Sequence, residues 1–257
     1  MLNKDTVGGT LSVALILCVV CSIVVASSAV LLRPMQQANK DLDRKTNILS
    51  AAGLLKEGAS VDSLFEGISV RAVDLDSGQF TDSVDLENYD QRKASKDPAL
   101  SEELSASEDL AKISRRANVA TVYIVENSGG IEKVILPIKG YGLWSTLYGF
   151  IALEGDLNTV AGLGFYEHAE TPGLGGEVDN PLWKAKWEGK KVFDDEGKTA
   201  LRVIKGPVDS SRAGSEYQID GLSGATLTSR GVSQLIQFWL GENGFAPFLT
   251  KLKEGEA

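Results

Sequence analysis

Histidine and cysteine are scarce in this chain, which contains one histidine and two cysteines among 257 residues. Structural zinc sites draw mainly on these two residue types, so the composition argues against an all-protein zinc site. Two cysteines also exclude a scaffold held together by many disulfides. We therefore predict no metal site, and we expect any redox chemistry to depend on a bound cofactor.

Basic residues are also in deficit, because 26 lysines and arginines face 35 acids and leave a formal net charge of −9. A surface that binds nucleic acid needs a basic excess, so we predict no nucleic-acid partner. Nine acids, against three bases, lie between residues 81 and 110. Such a stretch predicts a solvated loop with a short helix, in preference to a metal site or to core.

Residues 11–32 form a long apolar run of 22 residues without a charge. At about 1.5 Å per residue, a helix of this length can cross a hydrocarbon core of about 30 Å. We predict a retained transmembrane helix; the alternative is a signal peptide cleaved near Ala26, although apolar signal regions usually run about 7 to 15 residues. More basic residues follow the run than precede it, which favours a cytoplasmic domain only weakly, because the charge rule fades for long domains.

Both cysteines, Cys18 and Cys21, lie in this run at a spacing that places them on one helix face. Two thiols do not complete a four-ligand cluster, so packing is a better interpretation than a redox centre shared with a partner subunit. The role of the pair stays open.

The composition divides the chain into four predicted segments: residues 1–10 as an N-terminal segment, 11–32 as the transmembrane helix, 33–58 as a stalk helix and linker, and 59–257 as a soluble domain. Pro34 stands at a position typical of helix starts and helix formers follow it. The chain is therefore predicted to continue off the membrane as a polar stalk helix that ends near Gly53 or Gly58.

Alternating runs and turn signals predict an antiparallel sheet in the soluble domain. Two β-branched runs between residues 117 and 140 flank the sequence Asn-Ser-Gly-Gly at 127–130, which is a hairpin pattern. Turn signals at residues 155–158 and 195–197 predict two similar connections. We therefore predict an α+β fold, in which one transmembrane helix precedes a domain with an antiparallel sheet and flanking helices.

A helix near the C-terminus is indicated by five apolar residues at helical spacing, which share one face. They are Val232, Leu235, Ile236, Trp239 and Leu240. Gly241 and Gly244 are predicted to close this helix.

Residues 220–226, with the sequence DGLSGAT, stand immediately before this helix. The glycines and the alanine let a ligand approach the backbone, and a helix start favours an anion. Any of the hydroxyls of Ser223, Thr226, Thr228 and Ser229 could instead cap the helix. On local composition, a plain capped helix and a phosphate site both remain open.

The same seven residues resemble the modification motif of covalent flavoproteins, in which a flavin transferase moves FMN from FAD onto the last hydroxyl residue through a phosphoester bond. Every place of that motif is filled here, and the acceptor implied is Thr226. Thr228, two residues further on, fits the pattern less well.

The wider chain resembles the C subunit of the sodium-translocating NADH:quinone oxidoreductase, a membrane complex of the bacterial inner membrane that reduces ubiquinone. The resemblance is carried by the apolar run, by TPGLGGE at 171–177, by GLWS at 142–145 and by FWLG at 238–241. The G subunit of the Rnf ferredoxin:NAD oxidoreductase shares several of these features and is the alternative family. A membrane-anchored flavin-binding assembly module without redox function is the alternative of a different class.

The resemblance implies a protein that relays electrons through covalent FMN, with other members of the complex as partners and a flavin transferase during maturation. It also implies a single-pass protein whose domain faces the periplasm. Residues 162–164 lack the third glycine of a dinucleotide fingerprint, so NADH oxidation is expected in another subunit. No charge interrupts residues 11–32, so we expect no sodium path in this chain.

Besides Thr226, the predicted FMN-binding residues come from the motif, from the glycine-rich segment at 171–177, which we call the glycine turn, and from one tryptophan and one lysine elsewhere. They are Asp220, Ser223, Gly224, Ala225, Trp144, Thr171, Gly173, Leu174, Gly175 and Lys205. Leu174 and Trp144 are expected to flank the flat ring, and Lys205 to neutralise the phosphate. His168 lies beside the turn, and its role stays open.

Overall fold

A computed structural model describes residues 6–56 and 58–257, and residues 1–5 of the predicted N-terminal segment lie outside this range. The chain divides into two compact units, the first ending at Asp43 and the second comprising Arg44–Ala257. The predicted segment boundaries are not tested by this division and stay predictions.

The first helix, α1, spans Val7–Ala51 and includes the whole apolar run. It is long and apolar enough to cross a membrane, by length and composition, and none of its most apolar window is buried in the protein. Pro34 lies inside α1, so the helix-start position predicted for it is wrong, whereas the predicted continuation of the helix to a point near Gly53 is confirmed. Proline removes one backbone hydrogen bond from a helix interior, and here the helix continues past it for more than four further turns.

The helices and strands after α1 are all much shorter than α1. The helices are α2 (Val61–Phe65), α3 (Gln91–Ala94), α4 (Pro181–Lys184), α5 (Thr226–Trp239) and α6 (Ala246–Glu254). The strands are β1 (Ile68–Asp74), β2 (Gln79–Phe80), β3 (Ser101–Glu103), β4 (Arg115–Ala117), β5 (Val119–Asn127), β6 (Gly130–Tyr141), β7 (Thr146–Glu154), β8 (Val160–Glu167), β9 (Arg202–Val203) and β10 (Gln218–Ile219).

Six strands form one antiparallel sheet in the order β2-β1-β5-β6-β7-β8, which confirms the predicted α+β fold. The hairpin predicted at 127–130 joins β5 to β6, and the one predicted at 155–158 joins β7 to β8. The sheet also contains β1 and β2, which the sequence patterns did not indicate.

The third predicted hairpin, around residues 195–197, does not belong to the sheet, so this prediction is wrong. Its flanks meet in one isolated bridge between Phe193 and Thr199. The carboxylate of Asp194 accepts the backbone N–H groups of Glu196 and Lys198, which closes the turn locally. The following strand β9 then pairs in parallel with β10, away from the main sheet.

Both faces of the sheet are covered, which explains why residues 119–125 of β5 are buried without alternation. One face packs against α5, whose five predicted face residues are all buried. The other face packs against the end of α1 and the residue that follows it, where Ile48, Leu49, Ala51 and Ala52 are buried. Gly241 and Gly244 follow α5 as predicted, and α6 after them was not anticipated.

The acidic stretch is largely loop with the short helix α3, as predicted, and adds the small strand β3. Across the part of the chain that the structure describes, no group of three or more acidic, histidine or cysteine side chains is placed to hold a metal ion.

Arg116 in β4 ties three surface segments to the domain and is only 4% exposed. Its guanidinium contacts the carboxylates of Asp76 and Glu102 and donates to the carbonyl of Asn243 at 2.9 Å. The turn after β1, strand β3 and the loop before α6 are therefore joined through one buried cation.

Neutralising both carboxylates is expected to destabilise the domain more than removing the cation. The double variant Asp76→Asn/Glu102→Gln neutralises both carboxylates that contact the buried guanidinium, which is expected to lower the free energy of unfolding by about 2 to 3 kcal/mol. Arg116→Met keeps the apolar stem and removes the charge, so its loss should be smaller. Urea unfolding of the full chain in detergent measures both; a larger loss in Arg116→Met would contradict the prediction.

Candidate functional site

The motif at 220–226 forms the connection from β10 to α5. The carboxylate of Asp220 accepts the backbone N–H of Val208 at 2.9 Å and contacts Lys186. The carbonyl of Asp220 accepts the indole N–H of Trp183 at 2.9 Å. Burial acts to raise the pKa of Asp220, but the hydrogen bonds and the Lys186 charge outweigh it and hold the pKa below its usual value. Asp220 thus fixes the path of the motif loop as an ionised group.

Helix α5 begins at Thr226 without a side-chain cap. The N-cap residue is Ala225, and no side chain there bonds to the first turn. The alternative that a hydroxyl caps this helix is therefore wrong. Thr228 and Ser229 turn inward instead: Thr228 donates to Glu170 at 2.6 Å, and the Ser229 oxygen accepts the backbone N–H of Leu222 at 3.0 Å.

This arrangement separates the two threonines of the motif region. Thr226 is exposed at the first position of the helix, whereas Thr228 is fully buried. Because α5 lacks a side-chain cap, its first turn presents backbone N–H groups and the positive end of the helix dipole beside the Thr226 hydroxyl. An anion attached to that hydroxyl would meet both.

The glycine turn lies against the motif. The carbonyl of Thr171 accepts the N–H groups of Leu174 at 3.1 Å and Gly176 at 2.9 Å, and Gly173 adopts a φ of +75° that favours glycine. A Cβ built on Gly224, itself at φ +70°, would lie 2.9 Å from the Leu174 side chain. The motif and the turn are therefore in contact through Leu174, and glycine at 224 permits it.

Trp144 lies in the loop 142–145 between β6 and β7 and is 65% exposed. Trp144 is therefore not part of the hydrophobic core. Near the same site, Leu143, Leu174 and Leu227 are also at least partly exposed, at 36%, 44% and 52%. Apolar side chains exposed on three separate segments provide a surface on which a flat aromatic group could lie.

Glu170 connects these segments, and sequence reasoning missed it. Its carboxylate accepts the N–H groups of Leu143 and Trp144 and the hydroxyl of Thr228. Only a glycine at 142 and at 175 leaves room for it, because a Cβ at either place would lie within 2.6 Å of a carboxylate oxygen. The sequence offered one signal for Glu170, which is its position between the glycine-containing segments at 142–145 and 171–177.

His168 joins the two ends of the glycine-turn segment. Its Nδ1 accepts the N–H of Glu170 at 3.2 Å, and its Nε2 lies 2.6 Å from a carboxylate oxygen of Asp179. A backbone N–H can only donate, so Nδ1 is the acceptor in the first of these contacts. Both ring nitrogens therefore serve the local structure.

Lys205 and Ser223 are exposed residues beside the motif. Lys205 follows β9, and the carbonyl of its neighbour Gly206 accepts the N–H of Gly221 at 2.9 Å, so its backbone lies at the first turn of the motif. The part predicted for Lys205 at the phosphate, and for Ser223 in binding, stays a prediction.

Known proteins are similar to this chain at the site and over its whole length. A family model described as FMN-binding domain matches residues 142–241. The C subunit of the Na(+)-translocating NADH-quinone reductase of Pseudomonas aeruginosa is 55% identical over 261 residues, covering 100% of both chains. The protein of the same name from Vibrio campbellii is 50% identical over 258 residues and covers 98% of each.

Two crystal structures resemble the fold. NqrC of Shewanella oneidensis matches with a TM-score of 0.77 and 37% identity, over 84% of this chain and 99% of that one. The C subunit of the Na(+)-translocating NADH-quinone reductase of Parabacteroides distasonis matches with a TM-score of 0.65 and 28% identity, over 85% and 97%.

Proposed function

The chain belongs to the family of C subunits of the Na(+)-translocating NADH-quinone reductase, and from this premise we propose that it relays electrons through FMN bound covalently at Thr226. As a member of that family, it is a flavoprotein component of a translocase complex and works with the other subunits. FMN, when bound, transfers electrons singly or in pairs. The protein's own part is to hold the flavin and to control its surroundings.

The observation that carries the proposal is the exposed Thr226 hydroxyl at the uncapped start of α5. A flavin transferase needs access to the hydroxyl, which Thr226 offers and the buried Thr228 does not. A phosphodiester keeps one negative charge, and a helix start stabilises an anion by roughly 0.3 to 1 kcal/mol, or more when partly buried. The residues present therefore fit an esterified phosphate.

Peptide mapping by mass spectrometry of protein co-expressed with a competent flavin transferase tests the proposal. We expect the FMN mass on the peptide that contains Thr226, with fragment ions assigning it to that residue. The same mass on Thr228, or no flavin mass at all, would refute it.

The remaining predicted site residues supply the surroundings in this proposal. Gly224 and Ala225 keep the backbone open next to the phosphate, while Thr171, Gly173 and Gly175 shape the turn that presents Leu174. Trp144 and Leu174 provide the apolar walls for the ring. Asp220 holds the loop in place, and Lys205 adds positive charge at its first turn.

Replacing either wall is expected to change the flavin without releasing it. Trp144→Ala and Leu174→Ala remove apolar surface beside the ring, so the absorbance maximum or the midpoint potential should shift while the covalent bond remains. Spectroelectrochemistry of the folded variants measures the absorbance and the potential, and flavin that stays on the chain after denaturation shows that the covalent bond remains. Leu182→Ala, which removes an exposed leucine of α4, is the control. Unchanged spectra and potentials in both folded variants would place the ring elsewhere.

We also propose that α1 anchors the protein and that the soluble domain faces the periplasm. The apolar part of α1 and the family's membrane complex support the anchor. Orientation rests on the family alone, because the flanking charges favour the opposite side weakly.

A further inference from the structure

We propose that Glu170 is the positioning residue of the flavin site: its buried carboxylate joins the loop that carries Trp144 to the first turn of α5 and so forms the binding surface before FMN arrives. The inference deepens the proposed function, on which it rests, because it concerns the same site. It assigns a role to a side chain that neither the motif nor the glycine turn includes.

The contacts of Glu170 join its own segment to two others that are distant in sequence. Oε1 accepts the N–H groups of Leu143 and Trp144, each at 3.0 Å, and Oε2 accepts the Thr228 hydroxyl at 2.6 Å. Glu170 is only 5% exposed, so water competes little for these bonds. One carboxylate thus fixes the hairpin loop relative to the helix that carries Thr226.

Two glycines make this placement possible. A Cβ on Gly142 would lie 2.6 Å from Oε1, and a Cβ on Gly175 would lie 2.5 Å from Oε2. Real Cβ atoms do not approach oxygen so closely, so any side chain at either position would displace the carboxylate. The glycines beside Trp144 and Leu174 therefore serve Glu170 as well as the turn.

The carboxylate of Glu170 is ionised at neutral pH. Burial acts to raise its pKa, but hydrogen bonds from Thr228 and from the backbone of residues 143–145 outweigh burial and keep the pKa below its usual value. The donors are neutral N–H and O–H groups, so the negative charge itself remains in the site. A fixed negative charge opposes the addition of electrons to a nearby group, so it should lower the midpoint potential of the flavin.

Glu170 also separates the two threonines. The hydroxyl proton of Thr228 is donated to Oε2, and the residue is fully buried, whereas Thr226 stays exposed. By holding Thr228 inward, Glu170 leaves one accessible threonine hydroxyl in the first turn of α5. The carboxylate therefore contributes to the choice of attachment residue.

Hydrogen exchange in the full chain tests the positioning role without any flavin. The chain is prepared without a flavin transferase, and the backbone amides of Leu143 and Trp144 are followed in wild type and in Glu170→Gln. Loss of the charged acceptor is expected to speed exchange of both amides by about tenfold or more. The matched control, Glu188→Gln, neutralises an exposed glutamate outside the site and should match wild type.

The midpoint potential of the FMN-loaded chain provides a second readout, whose direction reports on the negative charge of Glu170. Glu170→Gln should shift the potential in the positive direction, and Glu188→Gln should not. If Glu170→Gln does not fold, Thr228→Val replaces it: this variant keeps the carboxylate, removes one donor and should speed exchange of the two amides several-fold.

Unchanged exchange and an unchanged potential in folded Glu170→Gln would overturn the inference, and so would unchanged exchange in Thr228→Val. Failure of the proposed function gives a different result. In that case the wild-type chain carries no FMN on Thr226, whereas the exchange measurement still reports on Glu170.

Discussion

Thr226→Val is expected to abolish covalent FMN completely while leaving the fold intact. Only a hydroxyl can form the phosphoester, and valine has nearly the shape of threonine without one. Because Thr226 is exposed and makes no capping bond, its replacement should change the free energy of unfolding by less than about 0.5 kcal/mol. In-gel flavin fluorescence after denaturation and the intact mass of the purified chain measure the loss.

Two control variants make this result specific. Thr226→Ser restores a hydroxyl at the same place and should keep the flavin mass, since serine can form the same phosphoester. Thr228→Val removes the buried hydroxyl and should also keep it, because Thr228 is inaccessible in the folded domain. Flavin retained in Thr226→Val but lost in Thr228→Val would reverse the assignment.

The second prediction with a large effect concerns membrane topology, and its outcome is either digestion or protection of the whole domain. Protease added to intact spheroplasts is expected to digest the domain after α1 and to leave a membrane-bound fragment containing residues 11–32. The span supports retention in the membrane, and long domains can cross it with little regard to flanking charge. Immunoblots against tags at the two termini follow the fragment and the domain.

Lysed cells and a cytoplasmic marker protein provide the controls for this experiment. The marker should be digested only after lysis, whereas the domain should be digested in both preparations. Protection of the domain in intact spheroplasts would refute the periplasmic orientation. N-terminal sequencing that found a mature chain beginning near Ala29 would refute the retained helix.

Local sequence patterns determined the features that depend only on residues close together in the sequence. The apolar run determined a helix long enough to span a membrane, because helix rise and run length settle that question alone. Turn residues at 127–130 and 155–158 determined two sheet connections, since glycine and asparagine permit the backbone that a tight turn needs. The helical spacing of Val232 to Leu240 likewise determined the buried face of α5.

Tertiary structure decided the features that depend on partners far along the chain. Strand β1 joins the sheet through pairing with β5, which local propensity does not indicate. The start of α5 was the hardest case, because four nearby hydroxyls could have capped it.

The four hydroxyls have different surroundings: Ser223 and Thr226 are exposed, Ser229 accepts the backbone N–H of Leu222, and Thr228 donates to the carboxylate of Glu170. This carboxylate is 58 residues away from Thr228 in sequence, and it draws that side chain inward. Spacing within the motif cannot reveal such a bond, since a buried carboxylate takes its donors from whichever segments the fold brings to it. The motif therefore predicts the chemistry of the site, and only the tertiary structure decided that Thr226 is exposed while Thr228 is buried against a carboxylate from a distant segment.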